Sequence, residues 1–489
     1  MITIGIDIGT SSAKVALVGD DDRVIATASR ALEVTRPHPG FSEQDPQHWW
    51  DAVLACLDEL KAAHGTELAE AEAIGLSGQM HGATLLDAQG EVLRPCILWN
   101  DGRSAAQCEQ LTRAWPGLHA ITGNLAMPGF TAPKLMWVRE HEPEIFAKVA
   151  TVLLPKAYVR YRLCGERVEE MSDASGTLWL DVGRRDWSDE ALAATGMTRS
   201  QMPRLVEGNA VSGEISAELT RRWGFKRAPR IAGGAGDNAA GAVGLGAVHA
   251  GDAFVSLGTS GVLWATTAAF APAPARAVHA FCHAVPGTWH QMGVLLSAAA
   301  SLAWWAGVTD RSETFLLGEL DPNKPSSACW FAPYLNGERT PHNDAGVRGG
   351  FAGLDGGCTR ADMTLAVLEG VAYAMRDAQQ ALASAGTKLT GADVIGGGAR
   401  SPFWSQLMAD VLGIPLHQVA ESDIGCALGA ARLARLASGA PLASLQRPKR
   451  TRTFEPRADR VSLHALRHRH WQGLYPALSA WSRIDGLSR

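Results

Sequence analysis

The chain lacks the usual sequence marks of phosphate-binding folds. No G-x-x-x-x-G-K-[ST] P-loop is present and no clean G-x-G-x-x-G, which argues against P-loop, Rossmann and protein-kinase folds. No two of the eight cysteines (56, 96, 108, 164, 282, 329, 358, 426) stand at Cys-x-x-Cys spacing. A zinc knuckle and a thioredoxin-like pair are therefore excluded, and scattered thiols fit a reducing cytoplasm. The N-terminus alternates from Ile2 without a basic leader, so no signal peptide is expected. The uncharged stretch 292–308 approaches membrane-span length, but Ser297, Ser301, Gly307 and its lack of basic flanks favour a buried helix. A net charge of -5 offers no bulk attraction to nucleic acid or anionic membrane. The one basic cluster, Arg447 to Arg452, reads as a solvated loop between helices.

What is there is one turn used twice. Ile4-Gly5-Ile6-Asp7-Ile8-Gly9-Thr10-Ser11 leads into apolar Ala13–Val18, and Phe254-Val255-Ser256-Leu257-Gly258-Thr259-Ser260 leads into Val262–Ala265. Glycine permits close backbone approach, and turn N–H groups with two hydroxyls can face an anion. Each turn opens the same plan. Strands Ile2–Ile8, Ala13–Val18 and Val24–Leu32 precede a helix begun by Asp45-Pro46 and running through Ala63. Strands Phe254–Leu257, Val262–Thr266 and Val278–Ala284 or Trp289–Leu295 precede a helix Ser297–Trp305. A repeat of this length is a duplicated domain, and 489 residues exceed one core. A hairpin Thr84–Leu86 to Val92–Trp99 is expected around Ala88-Gln89-Gly90. A long helix is capped by Thr359 and Asp362 and ends at Gly386; Ser401-Pro402 caps a helix to Leu412. The units expected are 1–245, 246–440 and a helical extension over 441–489.

Four groups can carry chemistry. Asp7 precedes the first turn, where a carboxylate would repel phosphate unless a cation such as Mg²⁺ lay between them; the alternative is an Asp capping its own turn. Asp237, in Gly233-Gly234-Ala235-Gly236-Asp237-Asn238, stands where a helix begins, and the local dipole is expected to keep it ionised. It is either a base that accepts a hydroxyl proton or an N-cap. Met80-His81, with an amide at Gln79, suits a small polyol. The neighbouring run through Trp99 and Asp101 strengthens that reading against a structural histidine. Gly397, Gly398 and Arg400 precede a capped helix and could face an adenosine or form a plain strand–helix turn. His279-x-x-x-His283 lies in strand-like surroundings and is read as structural.

Together these residues resemble the FGGY carbohydrate kinases of the actin/Hsp70/sugar-kinase superfamily. One signature is similar to Gly129-Phe130-Thr131-Ala132-Pro133-Lys134 through His141. The other is similar to Gly349-Gly350-Phe351-Ala352-Gly353-Leu354 through Asp362-Met363 to Glu369. Ser77 to Asp87, Leu98 to Arg103 and Gly337-Glu338-Arg339-Thr340-Pro341-His342 most resemble the bacterial branch that phosphorylates D-xylulose. The likeness covers about 2–438. One departure is that Gly233-Gly234-Ala235-Gly236 is a residue longer than the family's run before the aspartate, which could shift the strand end.

The resemblance implies an α/β chain with two RNase H-like domains around a central cleft, binding sugar mainly by the first and ATP mainly by the second. It implies ketose contacts at Met80, His81, Asn238, Trp99 and Asp101, with Asp237 as base. It also implies Mg²⁺ served by Asp7, and Thr10, Ser11, Gly258, Thr259, Gly397, Gly398 and Arg400 around ATP. The expected partners are a small ketose and ATP, without nucleic acid or membrane, and a homodimer stands open. Another ketose such as L-ribulose is the alternative substrate; from another class, the alternatives are an actin/Hsp70-like ATPase or a sugar sensor.

Overall fold

The computed structural model describes residues 1–420 and 425–483. Two seven-stranded sheets form its framework. In the first, Ile2–Ile8, Ser12–Val18 and Val24–Ala31 are antiparallel neighbours, as the short turns between them require. Ala71–Gly78 then adds parallel to Ile2–Ile8 on its other edge, followed by Arg230–Ala232. The second sheet repeats the order: Ala253–Leu257, Gly261–Thr267 and Trp289–Leu295 antiparallel, then Ala392–Ile395 and Leu416–Val419 parallel. This third-second-first-fourth-fifth arrangement, found twice, is the RNase H-like plan.

The helix starts expected from caps are present. Asp45 accepts from Gln47 N–H and opens Pro46–Ala69, Thr359 and Asp362 form a capping box for Arg360–Ser384, and Ser401 caps Pro402–Leu412. Several expectations are corrected. The stretch 292–308 is divided between the end of strand Trp289–Leu295 and helix Ala299–Thr309, the chain turning at 296–298. Among the described residues no helix is long and apolar enough to cross a membrane. Thr84–Leu86 pairs with Thr151–Leu153, and toward Val92–Trp99 it forms only single bridges, Leu86 to Val92 and Ala83 to Ile97. Both Val278–Ala284 and Trp289–Leu295 contain strands, which pair with each other as His279–Cys282 and Trp289–Leu295.

The tail carries a strand as well as helices. Arg450–Phe454 pairs with Leu416–Val419 at the edge of the second sheet. Helix Ala458–Trp471 buries His464, His468 and Trp471 behind it. The basic cluster is exposed, as expected, but its second half is strand and not loop. Arg450 to Arg452 lie in Arg450–Phe454, Arg447 and Arg450 pair with Asp393, and Arg447 also pairs with Asp252. Residues 484–489 of the expected extension lie outside the described residues.

One helix joins the halves. Gly425–Ala437 lies in sequence between two strands of the second sheet, Leu416–Val419 and Arg450–Phe454, but packs on the first: a Cβ on Gly5 would lie 1.9 Å from Ala427 O, and one on Gly75 1.9 Å from Ala430 O. Its Arg432 and Arg435 both pair with Asp22, in the acidic turn after Ser12–Val18.

Candidate active site

The first turn ends a strand whose register sets Asp7 opposite Lys14. Burial raises the Asp7 carboxyl above the usual carboxylate range, against the pull of Ser77 and Lys14. Its Oδ1 is buried and accepts no hydrogen bond among the described residues. A buried, unsatisfied carboxylate oxygen is a group that a hydrated divalent cation would complete. The Thr10 hydroxyl, in contrast, is engaged. It donates to Gln79 Oε1 at 3.0 Å and accepts from Trp99 Nε1 at 2.9 Å. Gln79 in turn donates to Gln44 Oε1 at 2.8 Å. Ser11 is exposed at the tip of the turn.

Asp237 is the first residue of helix Asp237–Gly244, and the N-cap is Gly236. The extra small residue before it is absorbed as a bulge. Ile231 pairs with Ile74 but Ala235 pairs with Ser77, and Gly234 takes φ +77° between them. The pairing register therefore shifts by one residue across the bulge. Gly236 N–H is fixed by Glu170 Oε1 and Ser172 Oγ, each at 3.1 Å. Asp237 Oδ1 accepts from Asn238 N–H at 2.7 Å and Asn238 Nδ2 at 2.9 Å. The expectation of an Asp kept ionised by the helix dipole is corrected: burial, then the charge of Asp7, push its carboxyl up to about 7. One short helix and two donors do not offset desolvation beside a second carboxylate. The result is a group poised as a base near neutral pH.

Met80, His81, Trp99, Asp237 and Asn238 share a cavity of about 280 Å³, so the structure brings these sequence-expected residues together. His81 takes φ +70°, and its Nδ1 meets Gly176 O at 2.7 Å. Burial lowers its pKa to about 3, leaving the ring neutral. Lys134 Nζ and Thr131 Oγ1 both donate to His81 O, which ties the FGGY-like helix Thr131–His141 to this loop. Asp101 departs from expectation. It is buried and its oxygens accept from Ser42 N–H and the Arg103 guanidinium, so it braces the loop behind Trp99 instead of lining the cavity.

The opposite wall comes from the second half, through Ser260, Val262, His279, Phe281 and Arg339. The reading of His279 as structural is corrected, since it lines the cavity, and Arg339 was given no role from sequence. His279 and Phe281 have the same parity in strand His279–Cys282, and that alternation was the available signal. His283, one turn of parity further, is structural as expected, with its Nε2 3.1 Å from Ala247 O.

The second Gly-Thr-Ser turn stands between this cavity and a larger one. Ser260 lines the first, while Thr259 O and Gly258 O accept Ala298 and Ala299 N–H, each at 2.9 Å, fixing the start of helix Ala299–Thr309. That helix and Gly397, Gly398, Arg400 and Phe403 line a cavity of about 680 Å³. Gly396, at φ +90°, allows this wall to reach the second turn: a Cβ there would lie 2.8 Å from the Leu257 carbonyl. The site thus has a small chamber of mixed polar and apolar lining with an acid, a larger chamber of nucleotide size, and a glycine turn beside both.

Comparison with known proteins gives the same picture. Residues 2–244 match the N-terminal domain, and residues 253–438 the C-terminal domain, of the FGGY family of carbohydrate kinases. The chain is 50% identical over 437 residues to the xylulose kinase of Escherichia coli (strain K12), covering 89% of this chain and 90% of that one. It is 37% identical over 441 residues to the xylulose kinase of Bacillus subtilis (strain 168), covering 89% and 88%. A crystal structure described as a xyloylose kinase from Brucella ovis superposes with a TM-score of 0.96 at 49% identity, covering 98% of this chain and 100% of that one. The chain belongs to the FGGY family of carbohydrate kinases.

Proposed function

We propose that this enzyme transfers the γ-phosphoryl group of ATP to the 5-hydroxyl of D-xylulose, giving ADP and D-xylulose 5-phosphate. The observation that carries the reading is Asp237. Its carboxyl, poised near 7, lines a small chamber shared by Met80 and neutral His81, beside a turn that leads to the larger chamber. The xylulose kinases to which the chain is 50% and 37% identical support the choice of sugar.

The chemistry follows from charge. The sugar hydroxyl gives its proton to Asp237 as its oxygen attacks the γ-phosphorus, and the bond to the β-phosphate oxygen breaks to release ADP. Because phosphoryl transfer has a loose transition state, alignment and charge neutralisation do most of the work. Asn238 fixes the Asp237 carboxylate, while Met80 and His81 hold the sugar. Gly397, Gly398 and Arg400 hold the nucleotide, and Gly258 and Thr259 present the turn to its phosphates. Asp7 would hold Mg²⁺, which when bound offsets charge on the phosphates. The cytoplasm is the compartment, and a homodimer the assembly, that go with this reading.

ADP release measured over a panel of pentuloses tests it. The highest kcat/KM is expected with D-xylulose; a value no better than with L-ribulose would overturn the assignment.

A further inference from the structure

Arg339 is a cation in the sugar chamber that the reaction above does not use. Its backbone is fixed on both sides. Thr340 N–H donates to Val294 O at 3.0 Å, Val294 N–H donates to Thr340 Oγ1 at 2.9 Å, and Glu338 Oε1 accepts from Leu296 N–H and Arg339 N–H. Residues 338–340 are thereby held along strand Trp289–Leu295, and the guanidinium enters the chamber with Nη1 3.5 Å from His279 Nε2. Among the described residues no carboxylate forms an ion pair with it. A largely buried guanidinium without an acid partner wants an acceptor from elsewhere.

Its neighbours define what that acceptor is. His279 Nδ1 lies 3.0 Å from Asn124 Oδ1, and the Asn124 amide is oriented by donating Nδ2 to Thr122 O and Ala280 O. His81 Nδ1 faces Gly176 O. Carbonyl oxygens only accept, so both rings carry their proton on Nδ1 and keep Nε2 as an acceptor. His279 Nε2 takes the long contact from Arg339 and steers it; His81 Nε2 is left for a donor. The charges sort to two ends, Asp7 acting on Asp237, and Arg339 acting on His279 and His81.

We propose that Arg339 is a specificity residue that reads the ketol end of the sugar, donating to the C2 carbonyl while the C1 hydroxyl donates to His81. A ketol offers one acceptor-only oxygen beside a donor, which matches a guanidinium beside an acceptor nitrogen. A polyol lacks the carbonyl. The inference rests on the ketose reading of this chamber.

Calorimetric titration of the whole enzyme with D-xylulose and with xylitol, which differ at C2, tests it. Arg339→Ala is expected to weaken D-xylulose binding about 100-fold, the scale of a hydrogen bond from a charged donor. Xylitol affinity should change by less than about 3-fold, as for a contact the polyol does not make. Arg339→Lys keeps a donor without the fork and is expected to fall between; it also decides the matter if the alanine variant does not fold. Equal loss for both ligands, an unchanged ratio, or a raised ATP KM with intact sugar binding would each overturn the proposal. If the pentulose panel selects another ketose, that ketose and its polyol give the ratio. A wild-type enzyme that binds polyols as well as ketoses sinks this inference, whichever pentulose it phosphorylates best.

Discussion

In the first sheet Asp7 stands opposite Lys14 where the strand enters and leaves its Gly-Thr-Ser turn; in the second sheet the same places hold Ser256 and Val262. The scaffold is shared and the charges are not. Asp237 also comes from the first half, so both carboxylates at the reacting end belong to it, while the second half brings a neutral turn and the Arg339 cation. In the proposed reaction the first half thus supplies the acids assigned to proton and metal, whereas the second turn, with Ser256 in place of Asp7, carries no carboxylate at that position.

Breaking the acidic side should have the largest effect. Asp237→Ala removes the proton acceptor, and kcat is expected to fall by about 10³-fold or more, the upper range for a general base. Sugar affinity by calorimetry and the melting temperature should stay near wild type. Turnover within a few-fold of wild type would remove Asp237 from the base role.

Asp7→Asn comes next and is compared with Ser256→Ala, its counterpart. Loss of Asp7 is expected to cost turnover about 10- to 100-fold and to raise the Mg²⁺ concentration for half-maximal rate, whereas Ser256→Ala should change either by only a few-fold. The pH profile gives an independent reading. Asp237 must be ionised to accept a proton, and its pKa stands at about 7 partly through the Asp7 charge. In wild type, kcat/KM for the sugar therefore falls as pH drops through that region. Removing the Asp7 charge lowers the Asp237 pKa, so the acid limb moves to lower pH in Asp7→Asn and stays in place in Ser256→Ala. A limb that does not move would mean the two carboxylates do not sense each other.

What could be read from the sequence follows the same line between local and distant. Both turns, the antiparallel strands around them and the caps at Asp45, Thr359 and Ser401 are set by residues a few positions apart, and all stand in the structure. Met80, His81, Asp237 and Asn238 share a chamber because they follow neighbouring parallel strand ends, Ala71–Gly78 and Ala235–Gly236, while Trp99 comes from a separate two-stranded sheet and is tied in by its bond to Thr10. Asp101 looked equally chemical, but its neighbour Arg103 consumes it, and composition does not reveal which acid a nearby cation will claim. Arg339 and His279 enter from the other half across a distance no spacing encodes. The strand at Arg450–Phe454 was hidden for another reason: a cluster of basic residues read as a loop, and its pairing with Leu416–Val419, with Asp393 beside Arg450, is set by distant residues.

The joining helix tests how far the halves depend on one another. Gly429 faces Asp237–Gly244 so closely that a Cβ would lie 1.8 Å from Ala240 O. Both contact surfaces are backbone, so neither can give way by a rotamer change. Gly429→Ala is expected to destabilise by about 1–3 kcal/mol through overpacking, and to lower kcat by displacing the helix that carries Asp237. The same substitution at Gly307, inside helix Ala299–Thr309 where a Cβ meets nothing within 4 Å, should leave turnover unchanged and raise stability slightly, because alanine is the better helix former. Denaturant midpoints and turnover of the two variants decide it. Equal behaviour would mean the helices part without cost.

The smallest effect separates the two threonines of the repeated turn. Thr10 spends its hydroxyl on Gln79 and Trp99, and Trp99 lines the sugar chamber. Thr259 lies beside Ser260, on a turn fixed to the helix that walls the larger chamber. If the first turn has given up its hydroxyl to hold the sugar wall, Thr10→Val should raise the sugar KM about 5-fold, the loss of one net hydrogen bond near 1 kcal/mol, with the ATP KM unchanged. Thr259→Val should do the reverse by a similar factor. Paired KM measurements for both substrates distinguish this from two equivalent phosphate loops, for which both variants would raise the ATP KM alone.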